Sequence, residues 1–275
     1  MTQATQQGLA LRYGDADTNT TIPENWNPIL DQLVSHRSVR AFNDKPLPEG
    51  TLEALIAAAQ SAATSSNLQV WSVIAVQDPS RKSRLAEFAG NQAYIRQAPL
   101  FLVWLADLSR VSRVAERAGV ELQALPYIES LLLGTIDASL AAQNAVVALE
   151  SMGLGSVYIG AIRNDIKSVA KELELPPQVY PLFGMCVGYP DTERPAQVKP
   201  RLPQAAVLHH ERYSAESEQS SVEQYDQRLG AFYQQEGMKA AGWSEQVVNR
   251  LRNISSLHGR EELVRALQQL GFGLR

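Results

Sequence analysis

The chain has 275 residues; 45% are apolar, and 25 Lys and Arg stand against 29 Asp and Glu for a net charge of −4. That supplies apolar material for one large domain or two small ones. The charge balance excludes the broad basic surface that sequence-independent nucleic-acid binding requires, and the single cysteine, Cys186, excludes an internal disulfide and a four-cysteine zinc site.

In chain order, residues 1 to about 22 are polar, rich in Gln and Thr and without periodicity, which predicts a flexible arm over 1–25. The first twenty residues hold no secretory h-region, and the longest apolar run, Ala98–Ala106, is too short to span a membrane. A cytoplasmic protein with no membrane partner is expected. Helices are predicted over about 27–36, with Pro28 in the first turn, and over 49–61. Val70–Val76 reads as a buried strand closed by Asp78-Pro79-Ser80, and a basic helix follows over about 80–89. Leu100–Leu105 is a second buried strand, followed by a charged helix over about 108–118.

Tyr127–Met152 is the longest helical pattern, with Leu131, Leu132, Leu133, Ile136, Leu140, Val146, Val147 and Leu149 on nearly every face. Such a helix is buried all round, and a subunit interface on one face accounts for it economically. Ser156–Ile159 reads as a strand, Asn164 or Asp165 caps a helix to about Leu173, and Pro181–Tyr189 is another apolar strand. It contains Cys186, read as a small core residue rather than a nucleophile. A Pro-rich loop spans Asp191–Pro203, a short strand is expected around Ala206–His209, and helices follow over about 222–235, 243–254 and 260–270. Helices around few strands, without regular alternation, predict an α+β fold.

Four polar clusters could carry chemistry. His36-Arg37-Ser38-Val39-Arg40 puts two guanidiniums three residues apart, so one helical turn or the kink after it could aim both at a phosphate. Ser61–Gln69 masses hydroxyls and amides before a strand. Tyr158-Ile159-Gly160-Ala161-Ile162-Arg163-Asn164 leaves backbone N–H groups bare at a strand exit, where a flat ligand could approach. In Lys199-Pro200-Arg201-Leu202-Pro203 the prolines impose extended geometry, which would present Lys199 and Arg201 on one side. Taken alone, each also reads as an ordinary helix end, turn or surface loop. Gly153-Leu154-Gly155 lacks the third glycine of a dinucleotide fingerprint and no Walker-type Gly-Lys-Ser/Thr exists, which excludes Rossmann and P-loop readings. His209 and His210 are adjacent and would face opposite sides of a strand, so no metal site is expected. With no carboxylate pair and no nucleophile elbow, this is the profile of a protein whose cofactor carries the reaction.

The clusters also occur in a recognisable order with Gly90-x-Gln92, Leu131-Leu132-Leu133-Gly134-x-x-Asp137, Ala142-Gln143-Asn144-Ala145, Gly153-Leu154-Gly155-x-Val157 and Pro181-Leu182-Phe183-Gly184. Together they resemble the FMN-dependent, oxygen-insensitive nitroreductases, specifically the major NADPH-type branch with the flavin reductase P type, over about 26–275. The resemblance implies a nitroreductase-like α+β fold, with a mixed central sheet surrounded by helices, a helical C-terminal excursion over about 215–275, and an intertwined homodimer with FMN at the subunit interface. Carried over, His36, Arg37, Ser38 and Arg40 would hold FMN phosphate and ribityl groups, with Lys199 and Arg201 completing the phosphate contacts. Ser65, Ser66 and Gln69 would contact the flavin from the partner subunit, Gln92 would reach the ribityl or ring edge, and Tyr158, Ile159, Gly160 and Ala161 would lie along the isoalloxazine. Arg163, Glu236, Lys239 and Arg260 are the expected nicotinamide or substrate contacts. The implied chemistry is ping-pong hydride transfer from NADPH or NADH through flavin N5 to nitroaromatics, quinones or related oxidants, with no protein acid–base catalyst and no metal. The alternatives are a flavin reductase supplying reduced FMN to a partner, and a flavin-binding protein without turnover. Relatives carry an arginine-rich loop before a Trp-Ser pair; here Tyr233–Gly242 is shorter and carries Glu236 and a single Lys239 before Trp243-Ser244. A carboxylate repels the 2′-phosphate of NADPH and suits a free ribose hydroxyl, so weakened NADPH preference is expected.

Overall fold

The computed structural model describes residues 3–14, 22–239 and 242–275. In chain order the described residues form α1 (Gln3–Tyr13), α2 (Pro28–Val34), α3 (Thr51–Gln60), β1 (Trp71–Val76), α4 (Pro79–Phe88), α5 (Ala93–Gln97), β2 (Leu100–Asp107), α6 (Ser109–Ala118), α7 (Ile128–Ser151), β3 (Gly155–Ile159), α8 (Ile166–Glu172), β4 (Val179–Gly188), α9 (Glu218–Gln235), α10 (Trp243–Leu251) and α11 (Leu263–Gln269). They fall into two compact units: one of 1–37 with 197–257, the other of 38–196 with 258–275. The helical tail is divided between them, with 215–257 in the smaller unit and 258–275 in the larger.

The larger unit is built on a four-stranded sheet of order β1-β2-β4-β3. All three strand pairings are antiparallel. The expected mixed sheet is thus corrected: among the described residues the parallel component is one isolated bridge, Ser38 to Ser156. Every residue of β2 is buried, because α7 and α3 cover one face while α4, α5 and α8 lie toward the other. Cys186 sits in that core as a free thiol whose ionisation burial pushes well up, as the strand reading expected.

α7 explains its own composition. Gly134, Ala138, Ala141, Ala142 and Ala145 are buried, and small side chains let the helix lie close on the sheet. A Cβ on Gly134 would come within 3.0 Å of Ala106 Cβ. The opposite face is not buried: Ile128, Leu132, Ile136 and Leu140 recur every fourth residue and are 44–52% exposed. By length and composition this helix could cross a membrane, although its inward face is committed to the sheet.

In the smaller unit, Asn27 caps α2, its side-chain oxygen accepting from the amides of Ile29 and Leu30 with Pro28 at the first turn. The flexible-arm reading is corrected over residues 3–13, which form α1; residues 15–21 of that arm lie outside the described set. Tertiary contacts make this helix, not periodicity. The Thr5 hydroxyl donates to Asp31 Oδ1 at 2.7 Å, and Arg12 is buried beneath α2. The expected strand near Ala206–His209 is also absent: a 3-10 turn, Gln204–Ala206, leads into exposed Val207 and Leu208. Among the described residues no strand pairs with this stretch, so its apolar pair gains nothing from extending.

Candidate functional site

In the larger unit the site grows from the corner after β3. Ile159 is buried, and the chain then tightens into a 3-10 helix, Gly160–Asp165. The first N–H groups of such a turn have no intrahelical partner, so Gly160 and Ala161 carry donors at a corner that holds at most one methyl. Arg163 folds back over it: Nη1 donates to the Leu182 carbonyl, and Nη2 lies 3.4 Å from where a Gly160 Cβ would stand. Arg260 Nε donates to Asn164 Oδ1 at 3.0 Å. Burial pushes the Tyr180 phenol up to about 12, against the pull of the Arg163 and Arg260 charges. Gly90 also reaches this corner, its Cβ position 3.6 Å from Asn164 Nδ2, and two residues on Gln92 precedes α5, half-buried. Tyr158 packs edge-on against Phe183 with ring centroids 5.3 Å apart.

The strap 38–40 runs along the same strand. Val39 N donates to Ser156 O at 2.8 Å and the Val39 side chain is buried. In an extended chain Ser38 and Arg40 then share the other face. Burial pushes the Tyr94 phenol up, against the pull of the Arg40 charge. The strap lies this close only because position 155 is glycine: a Cβ there would stand 2.5 Å from Val39 Cγ2. Of the helical turn or following kink expected to aim Arg37 and Arg40, the helical turn is not formed, since α2 stops at Val34.

Ser65, Ser66 and Gln69 lie on an exposed loop before β1, with Ser66, Asn67 and Gln69 in the left-handed region at φ 49°, 53° and 50°. Non-glycine residues enter that region at a cost of about 1–2 kcal/mol each and cluster where surrounding structure forces them. The force here is Asp137, 1% exposed in the middle of α7. Its carboxylate accepts from the Thr64 hydroxyl, from Ser65 N at 3.2 Å and from Val70 N at 3.3 Å. Thr64 Oγ1 in turn accepts from Gln69 N at 3.0 Å. Arg110 Nη1 donates to Gln69 O at 2.8 Å. The signal in the sequence is an acid amid the apolar and small residues of the middle of α7, away from Glu129 and Glu150 at its ends.

This loop and the Gly160 corner belong to opposite edges of the sheet. β1 and β3 are separated by β2 and β4, three strand spacings or about 14 Å. Both leave toward the same end, since Trp71 is level with Ala106 and Ile159 runs from Gly184 toward Tyr180. One chain therefore does not bring Ser65, Ser66 and Gln69 to Gly160.

In the smaller unit, Lys199 and Arg201 do not present a shared pair. Lys199 Nζ turns to Tyr233, 3.2 Å from its hydroxyl and 5.0 Å from the ring centroid. Arg201 is exposed and its Nη1 folds onto the carbonyls of Lys199 and Pro200, each at 3.2 Å. Competing partners, which sequence spacing does not reveal, override the i, i+2 geometry. His36 is half-buried and Arg37 exposed. Glu236 closes α9, its N–H donating to Phe232 O at 3.0 Å, and both Glu236 and Lys239 are exposed. Ala240 and Ala241, in the segment expected to meet the nicotinamide cofactor, lie outside the described residues.

Among the described residues no cluster of His, Cys, Asp or Glu could hold a metal ion. In the larger unit the donor set is the Arg163 and Arg260 guanidiniums, the Asn164 amide and backbone N–H groups around Gly160 and Ala161. Such a corner suits the polar edge of a flat heterocycle.

Residues 33–189 match the nitroreductase family, and residues 199–275 match the nitroreductase family C-terminal domain. The chain belongs to the nitroreductase family. It is 40% identical over 243 residues to an NADPH-dependent oxidoreductase of Staphylococcus epidermidis, covering 86% of this chain and 96% of that one. It is 38% identical over 231 residues to an FMN reductase (NADPH) of Bacillus subtilis, covering 82% and 92%. Among solved structures, a nitroreductase from B. subtilis superposes with TM-score 0.83 at 36% identity, covering 89% and 99%. The NADPH:FMN oxidoreductase from Vibrio harveyi complexed with NAD+ superposes with TM-score 0.80 at 36% identity, covering 90% and 100%. The nitroreductase-like α+β fold expected from the motifs is thereby borne out.

Proposed function

We propose that this nitroreductase-family protein is an FMN-dependent NAD(P)H oxidoreductase that reduces small oxidants. The observation that carries the reading is the polar, side-chain-poor corner at Gly160-Ala161, flanked by Arg163, Asn164 and Arg260. FMN held there would supply two-electron redox chemistry between NAD(P)H and a nitroaromatic, a quinone or a flavin. The chain's own groups bind and orient. His36, Arg37, Ser38, Arg40, Lys199 and Arg201 would hold the phosphate and ribityl chain. Gln92 would meet the ribityl or ring edge, and the stretch from Tyr158 to Ala161 would lie along the ring. Backbone N–H groups at 160 and 161, with the nearby cations, would stabilise negative charge on the reduced ring. Arg163 and Arg260 would face the nicotinamide or the oxidant.

The protein acts as a homodimer in this reading. The exposed stripe Ile128, Leu132, Ile136, Leu140 supplies an apolar face of a kind monomers seldom leave open. A twofold partner would also deliver Ser65, Ser66 and Gln69 to a corner their own chain cannot reach with them. Cytoplasmic location follows from redox chemistry that depends on NAD(P)H.

The relatives named FMN reductase and NADPH-flavin oxidoreductase favour a second reading of the same site, release of reduced flavin to a partner. Exposed Glu236 supports weakened NADPH preference with NADH use. A visible spectrum followed by anaerobic titration with NADH and NADPH in parallel tests these points. Flavin bands bleached by either cofactor support the enzyme. Bound flavin that neither reduces would sink it, and a large kcat/KM advantage for NADPH would remove the Glu236 argument.

A further inference from the structure

α1 lies wholly outside the two matched family regions, which begin at residue 33. Thr5, Gly8 and Arg12 recur at helical spacing on one face of it, and that face lies on α2. Thr5 bonds Asp31, and Gly8 leaves room for Val34, whose Cγ2 would stand 2.9 Å from an added Cβ. Arg12 is 6% exposed. Its guanidinium donates to Val34 O at 2.9 Å, to His36 O at 2.6 Å and to Lys199 O at 2.8 Å. The backbone of the same residue closes the arrangement, with Arg201 N donating to Arg12 O at 2.9 Å. One rigid fork therefore ties the chain just before Arg37 to the chain between Lys199 and Arg201.

We infer that α1 is a clamp for the phosphate seat, and that Arg12 is a positioning residue which sets the spacing between the His36-Arg37 and Lys199–Arg201 segments. The inference rests on the FMN reading above. A guanidinium suits the task because its donors are fixed in a plane, so three carbonyls bound at once fix two backbone segments relative to each other. The buried charge also adds positive potential behind the seat: burial pushes the Tyr225 phenol up, while Arg201, Arg12 and Arg228 pull it down. Tyr225 ties the same loop, donating to Pro200 O at 3.0 Å.

The test compares FMN with riboflavin, which lacks the phosphate, by fluorescence titration of the flavin-free full-length protein. Arg12→Gln should weaken FMN about tenfold while leaving riboflavin within roughly twofold, with the far-UV spectrum unchanged. Arg12→Lys should recover part of the loss, since an ammonium keeps the charge but not the fork. Gly8→Val, which pushes α1 off α2, should lower the FMN-to-riboflavin ratio in the same way and serves if Arg12→Gln does not fold. FMN affinity unchanged in these variants, or both flavins weakened equally, overturns the clamp. Arg37→Ala and Arg201→Ala separate the failures. A ratio that falls in them but not in the Arg12 and Gly8 variants refutes the clamp alone; a ratio unchanged in all refutes the phosphate seat and the clamp with it.

Discussion

Replacing Asp137 by alanine removes the acceptor that organises the 64–70 loop. Three donors lose their partner: the Thr64 hydroxyl, Ser65 N and Val70 N. They are not equal. Ser65 is exposed and Thr64 half-buried, so water replaces much of what they lose, at about 0.5 kcal/mol each. Val70 is 2% exposed, and its stranded N–H costs about 1–3 kcal/mol. Removing the buried carboxylate relieves a desolvation cost, which offsets part of this. The expected net loss is about 2 kcal/mol for Asp137→Ala, and about 1 kcal/mol for Asp137→Asn, which keeps one acceptor. Freed of the anchor, Ser66, Asn67 and Gln69 should leave the left-handed region, because its cost is no longer opposed. Urea unfolding gives the stability change, and amide hydrogen exchange at Ser65 and Val70 reports the anchor directly. A loss under about 0.5 kcal/mol with Val70 exchange unchanged would refute the reasoning, because the loop would then hold its shape without the carboxylate.

Gly155→Ala should destabilise by about 1–3 kcal/mol and weaken FMN binding, because the new methyl displaces Val39 and the strap bearing Ser38 and Arg40. Thermal melts and flavin titration read this, and Val39→Ala in the same chain should restore part of both; no rescue would mean the clash is not the cause. If the proposed homodimer forms through α7, Ile136→Asp should sediment as a monomer and lower flavin occupancy, and a variant that is still dimeric would remove α7 from the proposed interface. The Asp107 carboxyl is pushed up by burial, but hydrogen bonds from Ser109 and Ser72 and the Arg110 charge outweigh this and leave it lowered. Its stabilising contribution is therefore present above the unfolded value of 3.8 and is lost as pH falls through the lower folded one. Urea midpoints from pH 5 to pH 2 should fall less steeply in Asp107→Asn than in the parent; parallel curves would contradict the assignment.

Much of the fold is legible in the chain because burial writes a period into it. Alternation and apolar runs mark the four strands to within about two residues, and Pro28 and Asn27 mark the start of α2. Small residues along 134–145 announce a helix that must lie close to something. The polar clusters that would hold a phosphate, polyol and ring are likewise visible as residue types in order. Side-chain partners are not. Lys199 and Arg201 share an extended segment, yet one turns to Tyr233 and the other onto its own backbone, because distant groups compete for each charge. Asp137 and Arg12 look alike in the sequence, as single charged residues in short contexts. Tertiary structure makes the first an anchor for a strained loop and the second a tie to a segment 187 residues further along the chain. The same limit explains α1, read as an arm: its own residues have little apolar periodicity, and three contacts with α2 at Thr5, Gly8 and Arg12 stabilise it. Local pattern determined the four strands and most of the helices, but not α1 or the exposed face of α7. Long-range hydrogen bonds, whose partners leave no periodic trace, decided how the polar residues are held.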